Sequence, residues 1–261
     1  MRSGRLLGLG ALALLVALAV LSVLLLQPPS PASPDAPADE FSTGRAFAEV
    51  EQVAAETHVT GSAANDRVRE HLVEVLEGLG LQTRVQDAVG ANAGDPGEVE
   101  MARVRNVVGV LPGADPTGRL FLVAHHDSVE TGPGGNDDAA GVSVVLETVR
   151  ALTAGSQLRN DVVVLFTDAE EACLCGAEAF ADSDELAADG GVVLNMEARG
   201  TGGPPIMFET ALGNAGLAAV YAGAAPHPVA TSFAVEVYRA LPNDTDFSPL
   251  QAAGLTGLNT A

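Results

Sequence analysis

Two periodicities divide most of this chain. In "AFAEVEQVAAE" (residues 46–56) and "NDRVREHLVEVLEGLG" (residues 65–80), apolar side chains recur every three or four positions. Val68, Leu72, Val75, Leu76 and Leu79 form one stripe, so both segments read as helices with one buried face. Asn65 or Asp66 is placed to cap the second helix and Gly80 to stop it. By contrast "RNVVGVLPG" (105–113), "RLFLVAHHD" (119–127), "DVVVLFTDAEE" (161–171) and "GGVVLNMEARG" (190–200) are short aliphatic runs without polar alternation. Such runs suit strands buried on both faces, as in an α/β sheet sandwiched between helices. "DAAGVSVVLETVRALTAGS" (138–156), between the second and third run, fits a crossover helix.

The start of the chain follows neither pattern. Residues 6–26, "LLGLGALALLVALAVLSVLLL", carry Ser22 as their only polar side chain, which is length enough to cross a bilayer. Residues 1–27 therefore read as an N-terminal signal anchor, with a cleaved signal peptide as the alternative. Arg2 and Arg5 predict a cytoplasmic N-terminus and an extracytoplasmic remainder. The Pro- and Ala-rich stretch 28–40 reads as a stalk, and 41–261 as one globular domain.

Charge narrows the chemistry. The formal net charge is −21 and all 13 basic residues are arginines, a balance that argues against a nucleic-acid partner. Cys173 and Cys175 are too few for a disulfide framework, and a single intervening residue is poor spacing for a bridge.

Three strand candidates end alike, in "FLVAHHD", "VVLFTDAEE" and "VVLNMEARG". Sites in crossover sheets gather at the carboxyl ends of strands, so these clusters predict one shared site. Taken singly, each has an ordinary structural explanation: a hydrogen-bonded histidine, a helix cap, a solvated turn. Strand alternation puts His125 and Asp127 on one face, with Asp127 able to orient a metal-binding His125, and turns His126 away. The glycines of "GPGGNDD" allow a loop that returns Asp137 toward His125, where one carboxylate can bridge two cations. Glu170 and Glu171 diverge, suiting one to a metal and the other to proton transfer from water. Glu197 adds an oxygen ligand. Mixed histidine and carboxylate ligands fit zinc, with manganese or cobalt as substitutes.

The ordered set "HVTGSAAND", "HHDSV", "GPGGNDDAAGV", "DAEE", "NMEARGTGG" and "PNDTDF" resembles the co-catalytic di-zinc aminopeptidase family, which includes glutamate carboxypeptidase and glutaminyl cyclase. Its last two motifs look most like the vacuolar and endoplasmic-reticulum membrane metallopeptidases and their bacterial relatives. The resemblance spans about His58 to Leu258 and implies a mostly parallel mixed sheet of the zinc-exopeptidase type. It implies two Zn²⁺ ions, a peptide substrate, and hydrolysis by a metal-bridging water that a glutamate activates. Residue by residue, His125 matches a ligand of the first zinc, Asp127 its orienting carboxylate and Asp137 the bridging aspartate. Asp138 follows where the family often has a cis peptide. Glu170 matches the general base, Glu171 a ligand of the second zinc and Glu197 the ligand sharing the first zinc. Asn243 and Asp244 match a "SD" pair near the substrate and are given no catalytic role.

The family's last ligand is a histidine downstream of "DTDF", and His227 lies upstream of it. The chain is therefore expected to be part of a longer protein, with the sheet incomplete at its C-terminus and activity belonging to the longer form. Other readings of the same fold are a receptor-like, non-catalytic ectodomain and a glutaminyl-cyclase-like enzyme. Retention of His125, Asp137, Glu170, Glu171 and Glu197 favours the enzyme.

Overall fold

The computed structural model describes residues 2–25, 27–93, 97–198, 202–213, 215–242 and 244–261. After helix α1 (Arg2–Leu25) come α2 (Thr43–Val53) and α3 (Ala63–Gly78), then strands β1 (Gln82–Ala93), β2 (Val99–Leu111) and β3 (Arg119–His125). The crossover helix α4 (Ala139–Ala154) leads to β4 (Asp161–Thr167), followed by α5 (Glu170–Cys173), α6 (Cys175–Ser183) and α7 (Glu185–Ala188). The chain continues through β5 (Val192–Met196), β6 (Met207–Thr210), α8 (Ala215–Ala224), α9 (Ser232–Ala240), α10 (Phe247–Ala252) and β7 (Thr256–Thr260).

The seven strands lie in the order β1-β2-β4-β3-β5-β7-β6. β4, β3, β5 and β7 are parallel, and antiparallel strands flank them on both sides. The four apolar runs are β2, β3, β4 and β5, and the crossover helix is α4, so the expected sandwich is present. Alternation decides which side chain joins which layer. Leu122, Ala124, Val162, Val164 and Phe166 pack with α3 and α4 on one face. Phe121, Val123, Val163 and Leu165 pack with α6 and α10 on the other. The stripe on α3 is buried as expected, with Leu72 and Leu76 fully covered, and truncating either to alanine would cost about 2–5 kcal/mol.

Several local readings change. Ser62 caps α3 by accepting from Asn65 N; Asn65 is itself buried one turn inside, so neither Asn65 nor Asp66 is the cap. Gly80 does end that helix, in a left-handed conformation at φ +84°. Cys173 and Cys175 form a disulfide, contrary to expectation. Leu174 between them takes φ +53°, which turns the chain enough to bring their Cα atoms to 5.0 Å.

The topology also places a crevice. From β3 the chain crosses to β4 on one side, and from there to β5 on the other side of β3. The carboxyl end of β3 is therefore the switch point, where α/β folds place their sites.

Candidate functional site

His125 is the last residue of β3 and is fully buried. Beyond it, Gly134 at φ +64° lies so close to Asp137 O that a Cβ would sit 2.5 Å away, and this tight loop swings Asp137 back over the strand end. Asp137 Oδ1 lies 2.9 Å from His125 Nε2, as the glycine pattern predicted. The Asp137–Asp138 peptide is cis. Asp138 caps α4, accepting from Gly141 N at 3.0 Å, while its second oxygen accepts from His125 N at 3.2 Å.

The other side of His125 faces Asp127. Nδ1 is 3.1 Å from Asp127 O and 3.5 Å from Asp127 Oδ1. The buried Asp127 carboxylate does further work, accepting from Glu170 N at 3.0 Å and Glu171 N at 3.3 Å. It thus joins the histidine to the turn that bears both glutamates. His126 points elsewhere, its ring nitrogens reaching Asn65 Nδ2 at 3.3 Å and Arg105 O at 3.3 Å.

Glu170 and Glu171 start α5, a single turn bracketed by Ala169 at φ +59° and Leu174 at φ +53°. Non-glycine residues in this region cost on the order of 1–3 kcal/mol, a conformation kept only where its surroundings demand it. Asp168, fully buried, supplies part of that demand by accepting from Arg105 N and Ala169 N, both at 3.0 Å. Thr60 Oγ1 lies 3.2 Å from Asp127 and 3.1 Å from Asp168, within donating reach of either carboxylate.

Glu170 Oε2 stands 4.0 Å, and Glu197 Oε1 3.9 Å, from His125 Nε2. Donor atoms of His125, Asp137 and Glu171 lie within 4.8 Å of one another. His125, Asp137, Glu170, Glu171 and Glu197 thus lie together at the crevice, with Asp127 behind His125. Asp244 lines the same cavity of about 330 Å³, together with Phe208 and Tyr238, whose rings meet edge to face at 4.8 Å. A larger surface hollow at Arg84 and Leu186, about 560 Å³, contains no such cluster. Asn243 lies outside the described residues, as do residues 199–201 of "NMEARGTGG".

Sequence reasoning missed Thr60, Asp168 and Asp246. Asp246 is fully buried and bonded to Thr167 Oγ1 through one oxygen, and its other oxygen has no hydrogen-bond partner among the described residues. Its only sequence signal was the second acid of "DTDF".

The electrostatics call for a cation. Burial pushes Glu170 and Asp138 well above the ordinary carboxylate range, and raises Glu171 as well. Burial likewise pushes Glu197 up to about 7 and Asp246 up to about 7. Burial alone would lower His125, but hydrogen bonds to Asp127 and Asp137, with the charge of Glu170, carry it well above its usual value. One imidazolium is small compensation for so many carboxylates. Among the described residues, Glu171 Oε1 is also buried without a hydrogen-bond partner. A histidine nitrogen, clustered carboxylates and an orphaned buried oxygen fit a divalent metal of the zinc class.

Residues 106–261 match the description Peptidase family M28. The chain belongs to that family. Among curated relatives, it is 38% identical to human endoplasmic reticulum metallopeptidase 1 over 148 residues, 55% of this chain and 16% of that protein. It is 29% identical to the vacuolar membrane protease of Candida albicans over 220 residues, 82% of this chain and 25% of that one. The chain thus spans a quarter or less of these relatives. Among solved structures, an aminopeptidase from Aneurinibacillus sp. strain AM-1 superposes with TM-score 0.68 at 13% identity, covering 85% of both chains. Porphyromonas gingivalis glutaminyl cyclase gives TM-score 0.66 at 21% identity, covering 84% of this M28 chain and 82% of its own. The zinc-exopeptidase fold expected from the motifs is therefore present.

Proposed function

We propose that this M28 chain is the peptidase domain of a membrane-anchored zinc aminopeptidase. The observation that carries the reading is the convergence of His125, Asp137, Glu170, Glu171 and Glu197 at one strand-end crevice. In this reading His125 and Glu197 would hold one zinc and Glu171 a second, with Asp137 a ligand available to both. The chemistry that zinc would supply there is Lewis acidity, toward the scissile carbonyl and toward water.

The chain's own residues supply the rest. Glu170 takes the water's proton and passes it to the departing amine, a task suited to a buried carboxylate whose proton affinity is raised. Asp127 holds His125 in orientation from behind and fixes the Glu170 backbone from below. The Phe208 and Tyr238 wall packs the substrate side chain, excluding water from the reacting bond.

We assign residues 1–27 to a signal anchor. Residues 6–25 form an apolar helix of mean hydropathy 2.7, long enough to span a bilayer. We assign residues 41–261 to the peptidase domain, on the extracytoplasmic side. Arg2 and Arg5 support that side, and so does the Cys173–Cys175 disulfide, a bond typical of oxidising compartments.

The test offers the protein an unblocked aminoacyl anilide, its N-acetylated counterpart and an N-terminal glutaminyl peptide, each with and without chelator. Chelator-sensitive cleavage of the unblocked substrate alone is the expected result. Cleavage of the blocked substrate would overturn aminopeptidase specificity. Ammonia release from the glutaminyl peptide without hydrolysis would establish the cyclase reading instead.

A further inference from the structure

The Pro- and Ala-rich stretch 28–40, whose composition reads as a stalk, is held against the domain over residues 32–40. Arg45 donates from Nη1 to Ala36 O at 2.9 Å, and from Nη2 to Pro37 O at 3.1 Å and Glu40 O at 3.0 Å. Arg150, on α4, donates to Ala38 O at 2.5 Å and Glu40 O at 2.9 Å. Ser42 Oγ and Thr43 Oγ1 donate to Pro34 O at 2.5 Å and Ala32 O at 2.8 Å. Both guanidinium groups converge on Glu147, at 3.1 Å from Arg45 Nε and 2.6 Å from Arg150 Nε. Glu147 is 3% exposed and also accepts from Ser42 N at 2.8 Å. Seven side-chain donations onto the carbonyls of residues 32–40, organised around one buried carboxylate, make a built clamp. Prolines 34 and 37 reduce the entropy lost in docking.

The clamp's place in the fold gives it a consequence. It sits at the start of α2 and the second half of α4, and both helices lead from it to the site. Asp138, beside Asp137, caps the far end of α4, twelve residues or about 18 Å from Arg150. Past the far end of α2, Thr60 reaches Asp127 at 3.2 Å. The clamp and the site therefore occupy opposite ends of the helix pair. With residues 32–42 docked, only 26–31 separate the apolar helix from the domain, a reach of at most about 20 Å. Undocked, residues 26–42 would reach about 60 Å.

From this we infer that the Arg45–Glu147–Arg150 clamp holds the clamp end of the domain against the bilayer and turns the catalytic end away from it. The substrates so favoured are soluble peptides arriving from the aqueous phase, not chains embedded in the membrane. This rests on the reading of α1 as a membrane anchor, and the experiment tests the two separately.

The protein is inserted into phosphatidylcholine vesicles carrying a headgroup-linked acceptor dye. A donor dye is attached at Glu130→Cys, in the exposed loop beside the site, or at Ser156→Cys, just past the end of α4. Efficient energy transfer from position 156 and weaker transfer from 130 is expected. Arg45→Gln with Arg150→Gln should erase the difference. Should that double variant fail to fold, a 20-residue Gly/Ser insertion after Pro31 lengthens the tether without touching the domain, and should erase it too. Equal or reversed transfer in the parent, or a difference that survives the insertion, overturns the inference. A protein that does not float with vesicles refutes the anchor instead, and neither result depends on catalytic activity.

Discussion

Removing the metal should make the protein's stability fall as pH rises, because buried carboxylates are then left to carry protons in place of cations. In the folded, metal-free chain Glu197 titrates at about 7 and Asp246 at about 7, both chiefly through burial. Unfolded, they return to 4.5 and 3.8. Between those limits the folded chain retains protons that the unfolded chain has released, so each step up in pH favours unfolding. The loss begins near pH 4 and is complete above the folded values of about 7. His125 acts in the same direction, since its raised proton affinity is a stabilisation lost as pH climbs through the folded value. For Glu197 the rise corresponds to about 3 kcal/mol. Asp246 shares the cluster, so its contribution overlaps with this figure. For a domain of this size 3 kcal/mol is roughly 6–12 °C in Tm.

Thermal unfolding of chelator-stripped protein from pH 5 to 8.5 measures this, beside the same series with excess zinc. The stripped protein should lose several degrees between pH 5 and 7.5, and zinc should restore them increasingly toward the alkaline end. Asp246→Asn should flatten the stripped curve, because its amide carries no charge into the cluster. A stripped protein whose Tm is level or rises across that interval would refute the reasoning.

Glu170→Gln should lower turnover by about 10²–10⁴ while zinc content, read by atomic absorption, stays at the parent level; retained turnover would remove Glu170 from its role as base. Asp127→Asn should weaken zinc binding by about 10–100-fold in chelator competition. The asparagine amide cannot accept from both Glu170 N and Glu171 N as the carboxylate does, so unfolding should also become easier by about 1–3 kcal/mol.

Where burial follows a simple period, the fold was legible. The stripes of α3 and α4 and the solid apolar runs of β2 to β5 each face a layer of the core. β1 escaped notice because Gly90 is its only buried residue, so "QTRVQDAVGANA" carries no apolar signal and owes its shape to pairing with β2. β6 and β7 were hidden differently. Asn259, on β7 between β5 and β6, is fully buried, donating to Glu209 at 3.1 Å and Thr245 at 2.7 Å and accepting from Asn195 at 3.0 Å. A polar chain of that kind reads as loop until its partners are known. The site shows the same division. His125, Asp137 and the glutamates announce themselves at strand ends and beside glycines. Thr60 reaches Asp127, and Asp168 reaches Arg105 N, across more than 60 residues of sequence, and no local pattern encodes contacts of that kind.

The cysteine pair shows how one backbone angle can reverse a sequence argument and supply a test of location. One intervening residue ordinarily keeps two cysteines apart, yet Leu174 in the left-handed region folds Cys173 and Cys175 onto each other. Their bond ties the turn bearing Glu170 and Glu171 to the start of α6, and Cys173 O also accepts from Asn92 at 3.1 Å, pinning the turn to β1. Cytosolic thiol buffers keep such pairs reduced, whereas compartments outside the cytoplasm let them oxidise. The disulfide therefore bears on the proposed orientation independently of Arg2 and Arg5. Cells expressing the protein can be treated with a membrane-permeant alkylating reagent before lysis and the purified chain weighed intact. An extracytoplasmic domain should take up no label until reduced, and then two. Two labels before reduction would place the domain in the cytoplasm and remove the support that the disulfide lends to the proposed orientation.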